Sequence, residues 1–189
     1  MIGNMENRGL TAVSKSIEHS LIISLKFEFI NFMSEKKTAI KVLEETSRTF
    51  FIPIMRLPPN CQEAVASAYL TLRAIDEIED HATLPNEVKA HLLRNVSYCI
   101  QKYRPGMEQP EQLVFNWGEH EKELPEVTLR LSEWIMYCPQ SIRARVADST
   151  SSMADRMAFW AERNWRVDDE ADLDAYTFSV AGAVGLMLC

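Results

Sequence analysis

The chain has 189 residues, of which 47% are hydrophobic and 25% charged, a composition typical of one globular domain with a sizeable core. Its formal net charge of −7 argues against a nucleic-acid groove, because such grooves need clustered Lys and Arg. The four cysteines show no CxxC or Cys/His zinc spacing, so we interpret them as reduced thiols of a cytoplasmic protein: Cys61, Cys99, Cys138 and Cys189.

Residues 1–32 are interpreted as an N-terminal extension ahead of a domain formed by residues 33–189. The apolar stretch Ser20–Met33 contains Lys26 and Glu28, and it is too short and too charged for a transmembrane helix. It also lacks the uninterrupted apolar region and cleavage site of a signal peptide. The segment MSEKKTAIKVLEE that begins at Met33 resembles an ordinary protein start, so we hypothesise that Met33 is the natural first residue.

The chain after Met33 predicts consecutive helices, because it lacks the period-two alternation of strands and the Asn-Gly or Asp-Gly turns of hairpins. A first helix is expected to end before Pro58 and Pro59, which cannot continue it. Asn60 is the expected N-cap of the next helix, with Glu63 in the capping-box position. The predicted fold class is therefore all-α.

Further breaks divide the remaining sequence. We expect a helix from Cys61 to about His81, a helix from Glu87, a loop over 102–112, two helices broken at Pro139, an acidic turn over 165–174 and a last helix over 175–189. The last helix is apolar and reaches Cys189 without a C-terminal glycine or a basic final turn. We therefore expect the natural chain to continue beyond this point.

The stretch LRAIDEIEDH puts four carboxylates in five residues, directly after the apolar helix AVASAYLTL: Asp76, Glu77, Glu79 and Asp80. Asp76 and Asp80 share one helix face, where like charges repel by about 0.2–0.5 kcal/mol. Mg²⁺ is typically held by one or two carboxylates plus waters and substrate phosphates. Arg73, three residues before Asp76, suits other oxygens of the same diphosphate. Taken alone, however, such a motif is more often a solvated helix end.

Two other segments favour a diphosphate and hydrocarbon site. TSRTFF places Ser47 and Arg48, which suit phosphate oxygens, beside an aromatic pair that suits a hydrocarbon tail. YTFSVAGAVG places Gly182 and Gly185 inside a helix, where each glycine costs about 1 kcal/mol relative to alanine. Glycines inside a helix therefore indicate either close packing against another helix or space for a ligand.

Other acidic and aromatic features are interpreted as structural. An EF-hand is rejected because Ile78 and His81 replace a ligand and the invariant glycine. The DDEAD sequence, Asp168–Asp172, lies in a turn before the last helix, where acids favour the positive helix N-terminus. Side chains at helical spacing are assigned to the core: Trp134, Trp160, Trp165, Met153 and Met157.

In this order, SRTFF, YLTLRAIDEIED and YTFSVAGAVGLM resemble three motifs of the squalene/phytoene synthase family of head-to-head prenyl transferases. The resemblance covers about residues 40 to 189. Thr49 replaces the family's usual Ser, Thr177 its usual Cys, and His81 stands where squalene synthases often carry Asp. The family's second aspartate-rich motif follows the glycine helix, and the chain ends before it. The domain 33–189 is thus expected to be the N-terminal half of an isoprenoid synthase fold, truncated before that motif.

The resemblance implies a helical bundle around a central cavity, with Mg²⁺ bound by aspartate-rich motifs that hold the diphosphates of two prenyl substrates. One substrate loses diphosphate to give an allylic cation, which the double bond of the other attacks to form a cyclopropylcarbinyl diphosphate. Squalene-type enzymes then use NADPH, whereas phytoene-type enzymes lose a proton. The apolar helix before the carboxylates would line the cavity and keep water from the cation.

By matching position, the resemblance implies a role for eleven residues. Asp76, Asp80 and Arg73 are the expected catalytic residues, and Asp76 and Asp80 are expected to bind Mg²⁺ with support from Glu79. Ser47, Arg48 and Arg73 are expected to contact diphosphate. The prenyl path is expected to be lined by Phe50, Tyr69, Tyr176, Val180 and Gly185.

Alternatives stay open on sequence alone. The same fold and metal could serve a prenyl diphosphate phosphatase or a terpene synthase, which product analysis would separate. If 189 residues are the whole polypeptide, a non-catalytic helical binding module is a third reading. The expected partners are prenyl diphosphates and no nucleic acid, the expected state at full length is a monomer, and peripheral membrane contact is left open.

Overall fold

A computed structural model describes residues 23, 26, 33–102 and 113–188. The chain divides into two compact units, Met1–Thr38 and Ala39–Cys189. The described residues of the first unit are helical, and the Thr38 hydroxyl donates to the Ser34 carbonyl at 3.0 Å. Most of the proposed extension falls outside the described residues, as does Cys189, and the hypothesis that Met33 is the natural first residue stays a prediction.

The second unit is a succession of helices with no strand among its described residues, which confirms the all-α prediction. A 3₁₀ turn spans Gly118–Lys122, and a π-helical turn, Phe178–Gly182, lies between the last two helices. The helices are α1 (39–47), α2 (Phe51–Met55), α3 (Pro59–Glu79), α4 (Asn86–Lys102), α5 (Glu126–Leu129), α6 (Leu131–Tyr137), α7 (Gln140–Glu162), α8 (Glu170–Thr177) and α9 (Ala183–Leu188).

Helix α3 lies at the centre of this unit, where it packs against α2, α4, α5, α6 and α7. Its core face is rich in alanine, which lets the neighbouring helices approach closely. Two buried hydroxyls link it to other elements: Ser67 donates to the Trp134 carbonyl at 2.7 Å, and Thr128 donates to the Ala74 carbonyl at 2.9 Å. Such bonds fix the position of α3, because a buried polar group must find a partner.

The predicted core residues of α6 and α7 are confirmed. Trp134, Trp160, Met153 and Met157 are at most 1% exposed, and Trp165 is partly buried against this core. The predicted break at Pro139 is also confirmed, since this residue is the N-cap of α7.

The predicted N-cap of α3 is wrong. Pro58 is the cap, Pro59 is the first helical residue, and Asn60 lies inside the first turn with no side-chain cap bond. Proline is well suited to a first helical position, because that residue needs no backbone N–H and proline fixes φ near the helical value.

The last helical segment also differs from its prediction, because it begins at Glu170 rather than Ala175 and includes the π-helical turn. Asp169 caps α8 by accepting a bond from the Asp172 amide at 2.9 Å. Arg163 pairs with Asp168 at 3.2 Å and with Asp172 at 2.7 Å. The structural interpretation of DDEAD is therefore confirmed, and its carboxylates fasten α8 to the end of α7.

Cys61, Cys99 and Cys138 are free thiols. The expected loop begins after Lys102, the last residue of α4, and residues 103–112 fall outside the described ranges. Within those ranges, no helix combines the length and the apolar character needed to cross a membrane.

Candidate active site

An apolar cavity of about 330 Å³ lies between α2, α3, α7 and the C-terminal segment formed by the π-helical turn Phe178–Gly182 and α9. Arg73 and Asp76 are its charged residues. The rest of its wall is aliphatic, aromatic or thioether: Phe50, Ile54, Val65, Ala68, Tyr69, Leu72, Met153, Val180, Val184, Met187 and Leu188.

One face of α3 supplies the long side of this cavity. Its lining residues recur at the spacing of a single helix face: Val65, Ala68, Tyr69, Leu72, Arg73 and Asp76. At 1.5 Å per residue, the distance along the axis from Val65 to Asp76 is roughly 16 Å. This face is apolar at one end and charged at the other. The cavity therefore has a hydrophobic wall along most of its length and the charged groups of Arg73 and Asp76 at one end.

The charged end is rich in carboxyl groups that resist ionisation. Burial raises the pKa of Asp76 to about 6, Arg73 opposes this shift, and Asp80 and Glu77 add to it. Burial also raises the pKa of Glu79 to about 7, reinforced by Asp76 and Asp80. When these carboxyl groups are ionised they repel one another, and a bound cation would reduce that repulsion.

Arg73 is held beside Asp76 with unused hydrogen-bonding capacity. Its guanidinium pairs with Glu77, one helical turn further along α3. Its Nε is buried and has no partner among the described residues. A guanidinium with a free donor at this end of the cavity wall could bind an oxyanion.

The other two predicted diphosphate ligands lie where α1 ends. Ser47 is 3% exposed, and its Oγ finds no partner among the described residues. Arg48 is exposed and has a φ of 44°, in the left-handed region. The next turn brings Phe50 to the cavity wall, 6.1 Å from the Tyr69 ring between centroids, and the Tyr69 hydroxyl donates to the Thr46 carbonyl at 3.0 Å.

The predicted prenyl-path residues do not all reach the cavity. Phe50, Tyr69 and Val180 line it, whereas Tyr176 and Gly185 do not. Tyr176 packs edge-on against Trp160, with ring centroids 5.5 Å apart. Burial raises the pKa of Tyr176, and Glu79 and Asp80 add to the shift, so the phenol lies within electrostatic reach of the acidic motif.

The two helical glycines have different surroundings. A β-carbon at Gly182 would lie 2.9 Å from Cδ2 of Phe178, whereas one at Gly185 would have no atom of the described residues within 4 Å apart from its chain neighbours and its own helix backbone. The first glycine thus makes room for a neighbouring ring, and the second borders open space.

Sequence reasoning missed several wall residues and Glu77 as the partner of Arg73. Ile54 lies four residues after Phe50, and Val184 and Met187 continue the face of Val180, so helical periodicity from known wall residues identifies them. The assignment of Met153 to the core alone was incomplete, because this side chain also lines the cavity.

The donor set of α3 suits a hard divalent cation that substrate oxygens help to hold. The described residues gather no three His, Cys, Asp or Glu side chains around a common metal position. Asp76 and Asp80 nevertheless offer the one or two carboxylates that Mg²⁺ typically takes from protein, with waters and phosphates completing its shell. The raised pKa of Asp76 fits a site that receives a cation.

Comparisons with known proteins identify relatives of this chain. The family model for squalene/phytoene synthase matches residues 43–189. Squalene synthase of Schizosaccharomyces pombe is 33% identical over 157 residues, which cover 78% of this chain and 32% of that protein. Human squalene synthase is 29% identical over 163 residues, or 86% of this chain and 37% of that one.

A solved structure of TcSQS in complex with the ligand BPH1237 matches with a TM-score of 0.62 and 25% identity, over 82% of this chain and 43% of that chain. The present chain spans about a third of the length of the curated relatives it matches.

Proposed function

Because this chain belongs to the squalene/phytoene synthase family and shares its all-α isoprenoid synthase fold, we propose that it is part of a Mg²⁺-dependent prenyl transferase. The enzyme would condense two prenyl diphosphates, farnesyl or geranylgeranyl, head to head. The observation that carries the proposal is the apolar cavity along α3 that ends at Arg73 and Asp76. A prenyl diphosphate has the same polarity pattern, a hydrocarbon chain with an anionic head.

The apolar wall would hold the hydrocarbon chain and exclude water. Tyr69, Leu72 and Val180 present few hydrogen-bonding groups to the cavity, and the Tyr69 hydroxyl is already engaged by the Thr46 carbonyl. A carbocation formed here would meet little water, so it would survive until the double bond of a second substrate attacks it.

At the polar end, Asp76 and Asp80 would hold Mg²⁺, with Glu79 in support. When bound, Mg²⁺ would neutralise charge on the diphosphate leaving group. Arg73 would bind the same diphosphate through its buried Nε, and Ser47 would bind it through its hydroxyl, since neither atom has a partner among the described residues. Arg48 would add a second guanidinium from the end of α1.

The proposed reaction begins when one substrate loses its diphosphate and becomes an allylic cation. The double bond of the second substrate attacks this cation, and loss of a proton closes a cyclopropane ring, which gives a cyclopropylcarbinyl diphosphate. A squalene-type enzyme would then consume NADPH, whereas a phytoene-type enzyme would not. The half of the site that lies beyond α9 in longer relatives would complete the binding of two diphosphates.

Product analysis tests this function. The protein expressed from its complete reading frame is incubated with Mg²⁺ and with farnesyl or geranylgeranyl diphosphate, and the extract is separated by chain length. A C30 or C40 hydrocarbon is expected. A C15 or C20 alcohol or cyclic terpene would instead identify a phosphatase or terpene synthase on the same fold, and absence of any product would favour a binding module.

Asp76→Ala is expected to abolish turnover, because it removes the carboxylate at the charged end of the cavity. Asp148→Ala is a matched control, since Asp148 is an exposed carboxylate on α7 away from this cavity. Product formed by Asp76→Ala at close to the wild-type rate would refute the role of Asp76 in metal binding.

A further inference from the structure

Several carboxylates lie at the C-terminal end of α3, where negative charge destabilises a helix. The carbonyl groups at a helix C-terminus carry a partial negative charge, and cations are favoured there. The last turn of α3 contains no basic residue. It carries instead the proposed metal ligands, whose carboxylates repel one another and the helix dipole.

Lys89 supplies the missing cation from the next helix. It lies in the first turns of α4, and its Nζ donates to the Glu79 carbonyl at 2.7 Å. The residue is only 8% exposed, although a lysine is almost never buried without a partner. Its ammonium also attracts the Glu79 carboxylate and so opposes the rise in the pKa of that group.

We propose that Lys89 is a positioning residue for the proposed metal site, where its buried ammonium caps α3 and holds the turn that carries Glu79 and Asp80. This inference rests on the proposed function, because it assigns the turn a metal-binding role. Lys89 donates its hydrogen bond to a backbone carbonyl rather than to a carboxylate. Its effect on the carboxylates is indirect, because it fixes the position of the turn and places a positive charge next to it.

Three substitutions separate positioning from general stability. Lys89→Met keeps the aliphatic stem and removes the charge, Lys89→Gln keeps a donor without the charge, and Lys89→Arg keeps both. Lys102→Met is the control, because Lys102 is an exposed lysine at the other end of the same helix. If Lys89→Met does not fold, Lys89→Gln is measured in its place.

Two readouts are measured on the protein expressed from its complete reading frame. The first is Mn²⁺ affinity, from the electron paramagnetic resonance signal of free Mn²⁺ in a titration with the metal alone. The second is hydrogen exchange of the Asp80 amide, which donates to the Asp76 carbonyl at 2.7 Å. We expect Lys89→Met to weaken Mn²⁺ binding by about tenfold and to speed this exchange by about as much, with Lys89→Arg and Lys102→Met close to wild type.

The outcomes distinguish this inference from the proposed function. Wild-type Mn²⁺ affinity and exchange in Lys89→Met would overturn the positioning role even in an active synthase. A lower melting temperature with both readouts unchanged would show that Lys89 only stabilises the fold, and it would also overturn the inference. If the wild-type protein makes no prenyl product but Lys89→Met still weakens Mn²⁺ binding and speeds exchange, the proposed function fails and the positioning role stands.

Discussion

Arg48 adopts a backbone conformation that its side chain disfavours. With a φ of 44°, it occupies the left-handed position that commonly follows the end of a helix, where glycine is usual. A residue with a β-carbon costs roughly 1–2 kcal/mol there. The guanidinium is exposed at the end of α1, beside the turn that leads to Phe50 and the cavity wall. The strained backbone at Arg48 is a structural reason to test the proposed ligand-binding role of its guanidinium.

Arg48→Gly should therefore stabilise the protein while it weakens substrate binding. We expect the free energy of unfolding in urea to rise by about 1 kcal/mol, because glycine adopts positive φ without strain. The KM for the proposed prenyl diphosphate substrate should rise, because Arg48 is the proposed second guanidinium at the diphosphate. Arg48→Ala is the control: it should raise the KM similarly without the gain in stability, and equal stability of the two variants would contradict the strain argument.

Glu79 should make the metal-free protein less stable as the pH rises. Its pKa is raised from the usual 4.5 to about 7, so between these values the folded state binds more protons than the unfolded state. The free energy of unfolding therefore falls as the pH rises through this window. Urea unfolding in the presence of a chelator, at several pH values, measures this slope.

Glu79→Gln should flatten that slope and be more stable than wild type at pH 8 by about 1 kcal/mol, less than the full pKa shift implies because Glu79 is only partly buried. Near pH 4 the two proteins should differ little. Added Mg²⁺ should favour the wild type at pH 8, since the metal binds ionised carboxylates. Parallel pH profiles for the two proteins would exclude this account.

At the scale of the element, the π-helical turn Phe178–Gly182 interrupts the segment that covers one side of the cavity. Such turns are rare within helices and often occur at functional sites. Val180 lies inside the turn, and Val184 and Met187 follow it on the same wall. The ring of Phe178 is turned away from this wall, under the guanidinium of Arg156 at 4.9 Å.

The two glycines of this segment make a matched pair of substitutions. Gly185→Ala should stabilise the protein by about 1 kcal/mol, because an added β-carbon would meet no other element of the described residues and alanine favours helix. Gly182→Ala should yield less or nothing, since its β-carbon would lie 2.9 Å from Phe178 and the ring must move. Thermal unfolding of both variants measures the difference, and a larger gain at Gly182 would be evidence against the described packing of Phe178.

At the scale of the whole second unit, α3 is both the centre of the fold and the long wall of the site. Its core face is tied to α6 through Ser67 and to α5 through the Ala74 carbonyl, and its other face lines the cavity. Thr150 of α7 adds a third bond, donating to the Thr71 hydroxyl at 3.2 Å. Any change that shifts α3 within the core would also move Arg73 and Asp76.

Ser67→Ala should therefore destabilise the unit by about 1–2 kcal/mol, because it leaves the buried Trp134 carbonyl without its partner. Ser152→Ala on the exposed face of α7 is the control and should change stability little. Urea unfolding of both variants is the measurement. Equal stability of Ser67→Ala and wild type would mean that the carbonyl finds another donor.

Hydrophobic periodicity and proline positions predicted most of the helices, because both depend only on residues that are close together in the sequence. The break at Pro139 depends only on nearby residues, and it was correct. The N-cap of α3 was wrong because two local preferences competed, and proline at the first helical position prevailed over Asn60. The π-helical turn left no recognisable signal, since hydrogen-bond register is decided by packing rather than by composition.

The site was only partly predictable for a related reason. Asp76 and Arg73 could be identified because their spacing on one helix is fixed by helix geometry. Met153 comes from α7, and its place on the same wall depends on how this helix packs against α3. Lys89 bonds the Glu79 carbonyl across the α3–α4 connection, a contact that the sequence does not reveal.

The two methionines in the cavity wall give it a mechanical property that its shape alone does not show. Met153 and Met187 have unbranched, polarizable side chains, whereas their neighbours Val65 and Val184 are branched and stiff. We expect rotamer changes at these thioethers to reshape the cavity at a lower energetic cost than the displacement of a helix. We therefore expect the capacity of the cavity to change shape to be greatest at α7 and α9, which carry these two methionines.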